Sequence, residues 1–350
     1  MITVNVSASG KYNVLIGEGI LKNIGEYSKE ASLTGKALII TDDNVAPLYL
    51  KEVKDSLEKN GFETTEYIIK HGEKSKSAEN YIKILNFLAE NHFTRSDTVF
   101  ALGGGVVGDL AGFCAACYMR GTNFVQIPTT LLSAVDSSVG GKTAINLDCG
   151  KNLAGAFYQP RLVLCDITTL STLPEIFMED GMAEVIKYAM IKDKELADLL
   201  SEGINKQLEE VIARCVEAKS VIVNEDEKEK GIRRILNFGH TVGHAIEKAS
   251  NYTVTHGHAV AAGMYIITNA WEKRGLCEKG TTQKLKEILL KYNLMFKYDF
   301  SPDELFLAAQ NDKKVVHGGI YAVVVSKIGE CEVVKMPLSE LLKIIEEGAD

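Results

Sequence analysis

The sequence predicts an α/β chain in two parts. An N-terminal Rossmann-like parallel-sheet domain is expected over 1–174, and a mainly α-helical C-terminal domain over 175–350. Three observations predict this. Up to Pro174, β-branched runs alternate with amphipathic helical stretches, the pattern of a parallel sheet with helices on both faces. A glycine-rich loop joins one of those runs directly to the helix that follows. Beyond Pro174 the apolar spacing settles at 3.6 residues, with few strand signals until a late hairpin.

Taken in order, ITVNVSA alternates apolar and polar as a half-buried strand does. KALIITDDN is a β-branched run ending in acids, followed by a helical APLYLKEVKDSLEKNG stopped by glycine. TTEYIIKHGEKSK reads as strand and loop, and NYIKILNFLAENH as an amphipathic helix. SDTVFALGGGVVGDLAGFCAACYM is strand, glycine loop and helix. NFVQIPTTLLSAVDSSVGGKTAIN repeats that plan with a second glycine loop, and RLVLCDITTLSTLP closes the half with a buried strand. The helices EIFMEDGMAEVIKYAMI, ELADLLSEGI and KQLEEVIARCVEAKSVIV follow, with NEDEKEKG expected as a solvated loop. Ser301-Pro302-Asp303-Glu304 is a helix start, a serine cap with proline in the first turn. YAVVVSKIGECEVVKM should turn at Ile328-Gly329-Glu330 before a last helix, LSELLKIIEEG.

Composition narrows the function classes. With 46% hydrophobic and 25% charged residues, the chain is an ordinary globular protein. A formal charge of −8 argues against nucleic acid as a partner. No charged-then-apolar signal opens the sequence, and no apolar run reaches the ~18 residues that span a bilayer, so no membrane partner is expected. Seven scattered cysteines fit a reducing cytoplasmic location better than a disulfide framework. Cys114-x-x-Cys117 lies in a small-residue helical run with no second such pair, which points to packing.

The chemistry-bearing residues concentrate in two places. Residues 232–264 hold four histidines; His240 and His244, four apart in a helical stretch, share a face. His256 opens a second apolar helix sixteen residues after His240. A histidine on an apolar face is by default a hydrogen-bonded core residue, so the cluster needs partners from elsewhere. Glu184 and Lys187, three apart in the apolar GMAEVIKYAM, could provide one: a buried carboxylate needs a cation. With His240 and His256, Glu184 would form a Glu-His-His set of the kind that binds zinc and leaves positions open. Lys219 sits in an apolar stripe, from which it either snorkels outward or reaches a polar pocket.

The other place is the glycine loop. Gly103, Gly105 and Gly108 make G-x-G-x-x-G between a strand and a helix, where bare backbone amides can approach a pyrophosphate. No acid follows roughly 20 residues on, as the dinucleotide fingerprint requires. Asp42, earlier in the chain, could hold a ribose diol instead and would favour NAD over NADP. A tight turn without ligand is the equal alternative. Gly140-Gly141-Lys142-Thr143 lacks the spacing of a Walker loop.

Together these stretches resemble the 3-dehydroquinate synthases, members of the sugar phosphate cyclase family, along nearly the whole chain. The resemblance is carried by GEKSK, GGGVVGDLAGF, YMRG, IPTTLLSAVDSSVGGKTAIN, GKNLAGAFYQP, TLSTLP, GMAEVIKYA, RRILNFGHTVGHAIE, HGHAVAAGM and DKK in this order. His71 is a departure, standing where the family usually has an acid or a small residue. The resemblance implies a dehydroquinate synthase-like fold whose helical part binds metal, with the active site between the two parts. It implies Glu184, His240 and His256 as ligands to Zn2+ or Co2+. It implies NAD against Asp42, Asn44, the segment His71, Gly72, Glu73, Lys74, Ser75 and Lys76, and the loop Gly105, Val106, Val107, Gly108 and Asp109. Thr129, Thr130, Lys142, Lys151 and the turn Thr169, Leu170, Ser171 and Thr172 would complete that site. The sugar phosphate would meet Asp136, Lys142, Asn152, Lys187, Lys219, Arg233, Asn237, His244 and one of Lys313 and Lys314. Arg120 would reach the site of a partner subunit in a homodimer. His258 has no counterpart there and is expected at a helix start or on the surface.

The implied reaction converts 3-deoxy-D-arabino-heptulosonate 7-phosphate to 3-dehydroquinate. It runs by transient oxidation, phosphate β-elimination, re-reduction and intramolecular aldol closure, a step of the shikimate pathway to aromatic amino acids. A polyol dehydrogenase would share the architecture but need no dense cationic pocket, and would accumulate NADH. A sister cyclase would differ in a few pocket residues. An NAD-binding module without activity would not need the full set.

Overall fold

Four of the apolar runs are buried on both faces, as central strands of a parallel sheet must be. The computed structural model describes residues 1–204, 207–310 and 319–349, with the backbone of 315 and 316. It divides into two units, one of 1–174 with 208–228 and one of 175–207 with 229–350.

In the first unit β1 (Ile2–Ser7), β2 (Lys11–Gly17), α1 (Ile24–Glu30), β3 (Lys36–Asp42), α2 (Lys51–Lys59), β4 (Glu63–Ile69), α3 (Ala78–Glu90), β5 (Thr98–Gly103), α4 (Gly105–Cys117) and β6 (Asn123–Pro128) follow in order. A hairpin of β7 (Lys142–Leu147) and β8 (Gly150–Phe157) and then β9 (Leu162–Asp166) complete it. The seven-stranded sheet has the order β1-β2-β9-β6-β5-β3-β4, parallel except for the β1–β2 pair. Its two cores lie on opposite sheet faces: Leu15, Ile39, Phe100 and Val125 belong to one, Leu38, Ile40, Val99 and Phe124 to the other. Alternate residues of one strand feed different cores because strand side chains alternate faces.

Two local readings are corrected. Lys142–Leu147, expected to end a glycine loop, is a strand paired antiparallel with β8, which periodicity did not indicate. β8 is rich in small residues (Gly150, Ala154, Gly155, Ala156), and at Gly155 a Cβ would lie 2.0 Å from the Thr143 carbonyl oxygen. Backbone packing, not an apolar stripe, made that strand. β2 was also unmarked in the reading, and it joins β1 at the sheet edge.

The second unit begins with α5 (Glu175–Ile191) and α6 (Lys194–Glu202). Every residue of α5 from Asp180 to Ile191 is buried, as in a helix that is apolar nearly all round. The next helix, α7 (Leu208–Glu225), returns to the first unit, although its place in the sequence put it in the second domain. The stretch after it is not simply solvated. Glu227 accepts from the Ser9 amide (3.1 Å) and from Gln159 Nε2 (2.8 Å).

Then come α8 (His240–Ala249), α9 (His256–Lys273), α10 (Thr281–Lys291) and α11 (Pro302–Ala309), with the Ser301–Glu304 capping box in place. β10 (Val315–Val316), β11 (Gly319–Lys327) and β12 (Glu330–Pro337) form an antiparallel sheet, turning where expected, and α12 (Leu338–Ala349) closes the chain's described part. No helix among the described residues is long and apolar enough to cross a membrane. None of the seven cysteines is in a disulfide; Cys114 is buried and Cys117 exposed.

Candidate functional site

Glu184 reaches its position because α5 is a core helix: its carboxylate is 1% exposed, beside the buried Met182, Ala183, Val185 and Ile186. Three residues on, the equally buried Lys187 places Nζ 2.5 Å from Glu184 Oε2. From α8, His240 sets Nε2 3.5 Å from Glu184 Oε1, and from the start of α9 His256 sets Nε2 3.3 Å from the same oxygen. His244, one turn along α8, completes a group of three imidazoles whose ring centres are 5.3 to 6.1 Å apart.

Glycines allow this convergence. A Cβ at Gly263 would sit 2.1 Å from the Gly239 carbonyl oxygen, and one at Gly257 2.3 Å from Asp180 Cα. So α8 meets α9, and α5 meets α9, at backbone contact. Asp180 Oδ1 then accepts from the Gly257 amide (2.8 Å) and the Thr255 hydroxyl (2.6 Å), holding the start of α9 where His256 lies.

The cluster suits a divalent cation. Lys187 pairs with Glu184 Oε2, but the buried Oε1, facing the two imidazoles, has no hydrogen-bond partner among the described residues. That is an unfavourable state for a carboxylate oxygen, and a cation held with those imidazoles would relieve it. One carboxylate oxygen and two imidazole nitrogens within 4.8 Å of one another form the N/O donor set of zinc-type sites with open positions. Burial opposes charge on His256, but Glu184 and Glu247 outweigh it and push its pKa up to about 10.

Around the glycine loop the topology supplies what spacing did not. β3 leads outward to β4 at the sheet edge, and the chain then crosses back to β5 on the other side of β3. The carboxyl ends of β3 and β5 therefore flank a switch point, where open α/β sheets bind ligands. Thr41 pairs with Leu102, which puts Asp42 beside Gly103 at the mouth of the loop. One Asp42 oxygen, Oδ1, accepts from the Asn44 (2.9 Å) and Val45 (3.0 Å) amides. The Gly108 amide is bonded to Gly104 (3.0 Å), so by helix geometry the amides of Gly105, Val106 and Val107 face outward from the α4 start. Glycine is required at 103, where a Cβ would meet Val107 Cγ2 at 2.7 Å. Thr129, whose amide bonds the Gly103 carbonyl (3.1 Å), buries an Oγ1 with no partner among the described residues. Bare amides, an acid at the neighbouring strand end and an orphaned hydroxyl fit a dinucleotide.

Nearby, Lys76 is buried and pairs with Asp109 (2.7 Å), whose pKa burial pushes up against the pull of that lysine. Gly72 leads into the short turn of Glu73, Lys74 and Ser75, and Glu73 accepts from Asn146 Nδ2 (2.7 Å). His71 is exposed and bonded to Asp43 through its amide (2.7 Å). Thr130 bonds Ser133, and the turn of Thr169, Leu170, Ser171 and Thr172 is tied to Tyr49 through Thr169 O (3.1 Å) and Thr172 Oγ1 (2.6 Å). Lys219 reaches a polar pocket, not solvent: it is buried, ion-paired to Asp136 and donates to the Asp136 carbonyl (2.7 Å). Lys142, Lys151 and Asn152 lie on the β7–β8 hairpin, with Asn152 at φ +55°. Arg120 is exposed, at φ +67°. In the second unit Arg233 is 1% exposed, and Asn237 donates to Glu229 Oε1 (2.5 Å). Lys313 and Lys314 lie outside the described residues.

Sequence reasoning missed Glu247, Asp180, Glu229 and Asn146. Glu247 alone left a signal, three residues after His244 on the same helical face. Of the two places expected for His258, a helix start or the surface, it takes the first: in the first turn of α9 it is buried, with Nε2 3.1 Å from Glu179 Oε2.

Comparison with known proteins gives the class first. Two solved structures share this fold over 99% of the chain. One is 2-deoxy-scyllo-inosose synthase complexed with carbaglucose-6-phosphate, NAD+ and Co2+, at TM-score 0.90 and 26% identity, covering all of that chain. The other is 2-epi-5-epi-valiolone synthase from Streptomyces hygroscopicus subsp. jinggangensis 5008 with NAD+ and Zn2+ bound, at 0.86 and 27%, covering 99% of it. The class is thus that of the dehydroquinate synthase-like sugar phosphate cyclases. Within it, the chain belongs to the 3-dehydroquinate synthase family. The family's N-terminal model matches residues 66–180 and its C-terminal model 181–315. The 3-dehydroquinate synthase of Clostridium botulinum is 43% identical over 91% of this chain and 93% of its own length.

Proposed function

We propose that the protein converts 3-deoxy-D-arabino-heptulosonate 7-phosphate to 3-dehydroquinate and inorganic phosphate, with NAD recycled and a divalent cation bound by Glu184, His240 and His256. The observation that carries this is the buried Glu184 Oε1 facing the Nε2 atoms of His240 and His256 at 3.5 and 3.3 Å, in a chain of this family. When bound, NAD+ would accept and return a hydride while Zn2+ or Co2+ would supply Lewis acidity to substrate oxygens.

The residues then have separate work. The α4 amides and Asp42 hold the dinucleotide, with Glu73, Lys76, Asp109, Thr129, Thr130, Lys151 and Thr169–Thr172 around it. Lys142, Asn152, Lys187, Lys219, Arg233, Asn237 and His244 bind the sugar phosphate and orient it for elimination and ring closure. Asp136 holds Lys219 in place by its ion pair. The chain is closer to the dehydroquinate synthases, at 43% identity, than to the two sister cyclases at 26% and 27%, which favours dehydroquinate as product. The cytoplasm is its proposed location, supported by seven cysteines of which none is in a disulfide. A homodimer is proposed, in which Arg120 completes the partner subunit's site.

The test offers purified protein the heptulosonate phosphate with trace NAD. Phosphate should be released many times per NAD, and a chelator should stop it. Stoichiometric accumulation of NADH would turn the assignment to a polyol dehydrogenase.

A further inference from the structure

We infer that Glu247 is a positioning residue that selects the tautomer and ring orientation in which His256 serves the cation; this rests on the ligand set proposed above. A ligating imidazole must turn one bare nitrogen to the cation, and its other N–H needs an acceptor to keep it there. His240 has such an acceptor: its Nδ1 lies 3.0 Å from the Phe238 carbonyl, which can only accept, so the proton belongs on Nδ1 and the lone pair on Nε2. His256 shows the same division. Its Nε2 is 3.3 Å from Glu184 Oε1, and its Nδ1 is 3.4 Å from Glu247 Oε2.

Glu247 can hold that ring because its own place is set. It is 8% exposed and lies on α8 seven residues after His240 and three after His244, on one stripe of the helix. A rival arrangement exists, since His244, Glu247 and His256 also bring donor atoms within 4.8 Å of one another. There Glu247 would itself be a ligand. Glu184 is favoured as the ligand because its buried Oε1 has no hydrogen-bond partner among the described residues and faces Nε2 of both His240 and His256, whereas Glu247 Oε2 is engaged with Nδ1 of His256 alone.

The test is zinc affinity by competition with a chromophoric chelator, and the visible spectrum of the cobalt-loaded full chain, for Glu247→Gln, Glu247→Ala and Glu184→Ala. Circular dichroism of the metal-free proteins checks folding, and the near-isosteric Gln variant decides if the Ala variant is unstable. Glu247→Ala should weaken zinc about 10–100-fold and shift the cobalt bands. Glu247→Gln should recover much of the loss, because its amide oxygen still accepts from Nδ1–H. Wild-type affinity and spectrum in both variants would overturn the inference. So would loss as complete as in Glu184→Ala with no recovery in Gln, which would make Glu247 a ligand. Normal metal binding in Glu184→Ala would remove the ligand set itself, and the inference with it.

Discussion

A carboxylate with 1% of its surface exposed is costly on its own, and Glu184 is tolerated because cations and imidazoles surround it. His240 is the ligand whose removal separates metal from nucleotide. His240→Ala should lose zinc by at least about 100-fold, with turnover, while NAD affinity stays within about twofold. Equilibrium titrations of each decide it, and unchanged zinc binding would mean the ligand assignment is wrong. The Glu184–Lys187 pair was visible in sequence because charged residues three apart in an apolar helix must meet. The role of Glu247 was not visible, since its spacing from His244 gives a shared helical face but not the His256 ring from α9 that it meets.

Among elements, the contact of α8 with α9 depends on Gly239 and Gly263. Gly263→Ala should cost about 1–3 kcal/mol in denaturant unfolding, since the new Cβ must displace backbone. It should also weaken zinc, because His240 and His256 sit on the two helices it forces apart. A second element shows pH dependence. Glu272 of α9 accepts from the Gly280 and Thr282 amides (2.7 Å each) at the start of α10. Burial opposes its charge, but those amides outweigh it and lower its pKa. Its contribution is therefore full above the ordinary glutamate range and is lost as pH falls through the lowered value. Glu272→Gln should destabilise by about 1 kcal/mol at neutral pH and by less near pH 3, measured by chemical denaturation at both. Helices such as α5 and the Ser301 cap were legible from periodicity and capping chemistry. The β7–β8 hairpin was not, because β8 is built largely of small and polar residues that set up no apolar alternation.

For the molecule as a whole, the proposed trans role of Arg120 makes a mixing prediction. Arg120→Ala and His240→Ala should each be nearly inactive alone. Mixed and allowed to exchange, they should regain about a quarter of wild-type activity, since half the dimers are mixed and each has one complete site. No recovery after confirmed exchange would refute the trans role. Strand order belongs to this scale too: it set Asp42 beside the glycine loop, against its place some sixty residues earlier in the chain.

By itself the sequence determined the alternation of strands and helices, the glycine loop, and which residue types could bind a cation or a dinucleotide. Those follow from local periodicity and from side-chain chemistry. Only the tertiary structure decided that α7 returns to the first unit, that Glu247 and Asp180 stand behind His256, and that Glu184 meets two distant imidazoles. Such choices depend on which backbones can approach closely, and that is settled by glycines packed against carbonyls many residues away.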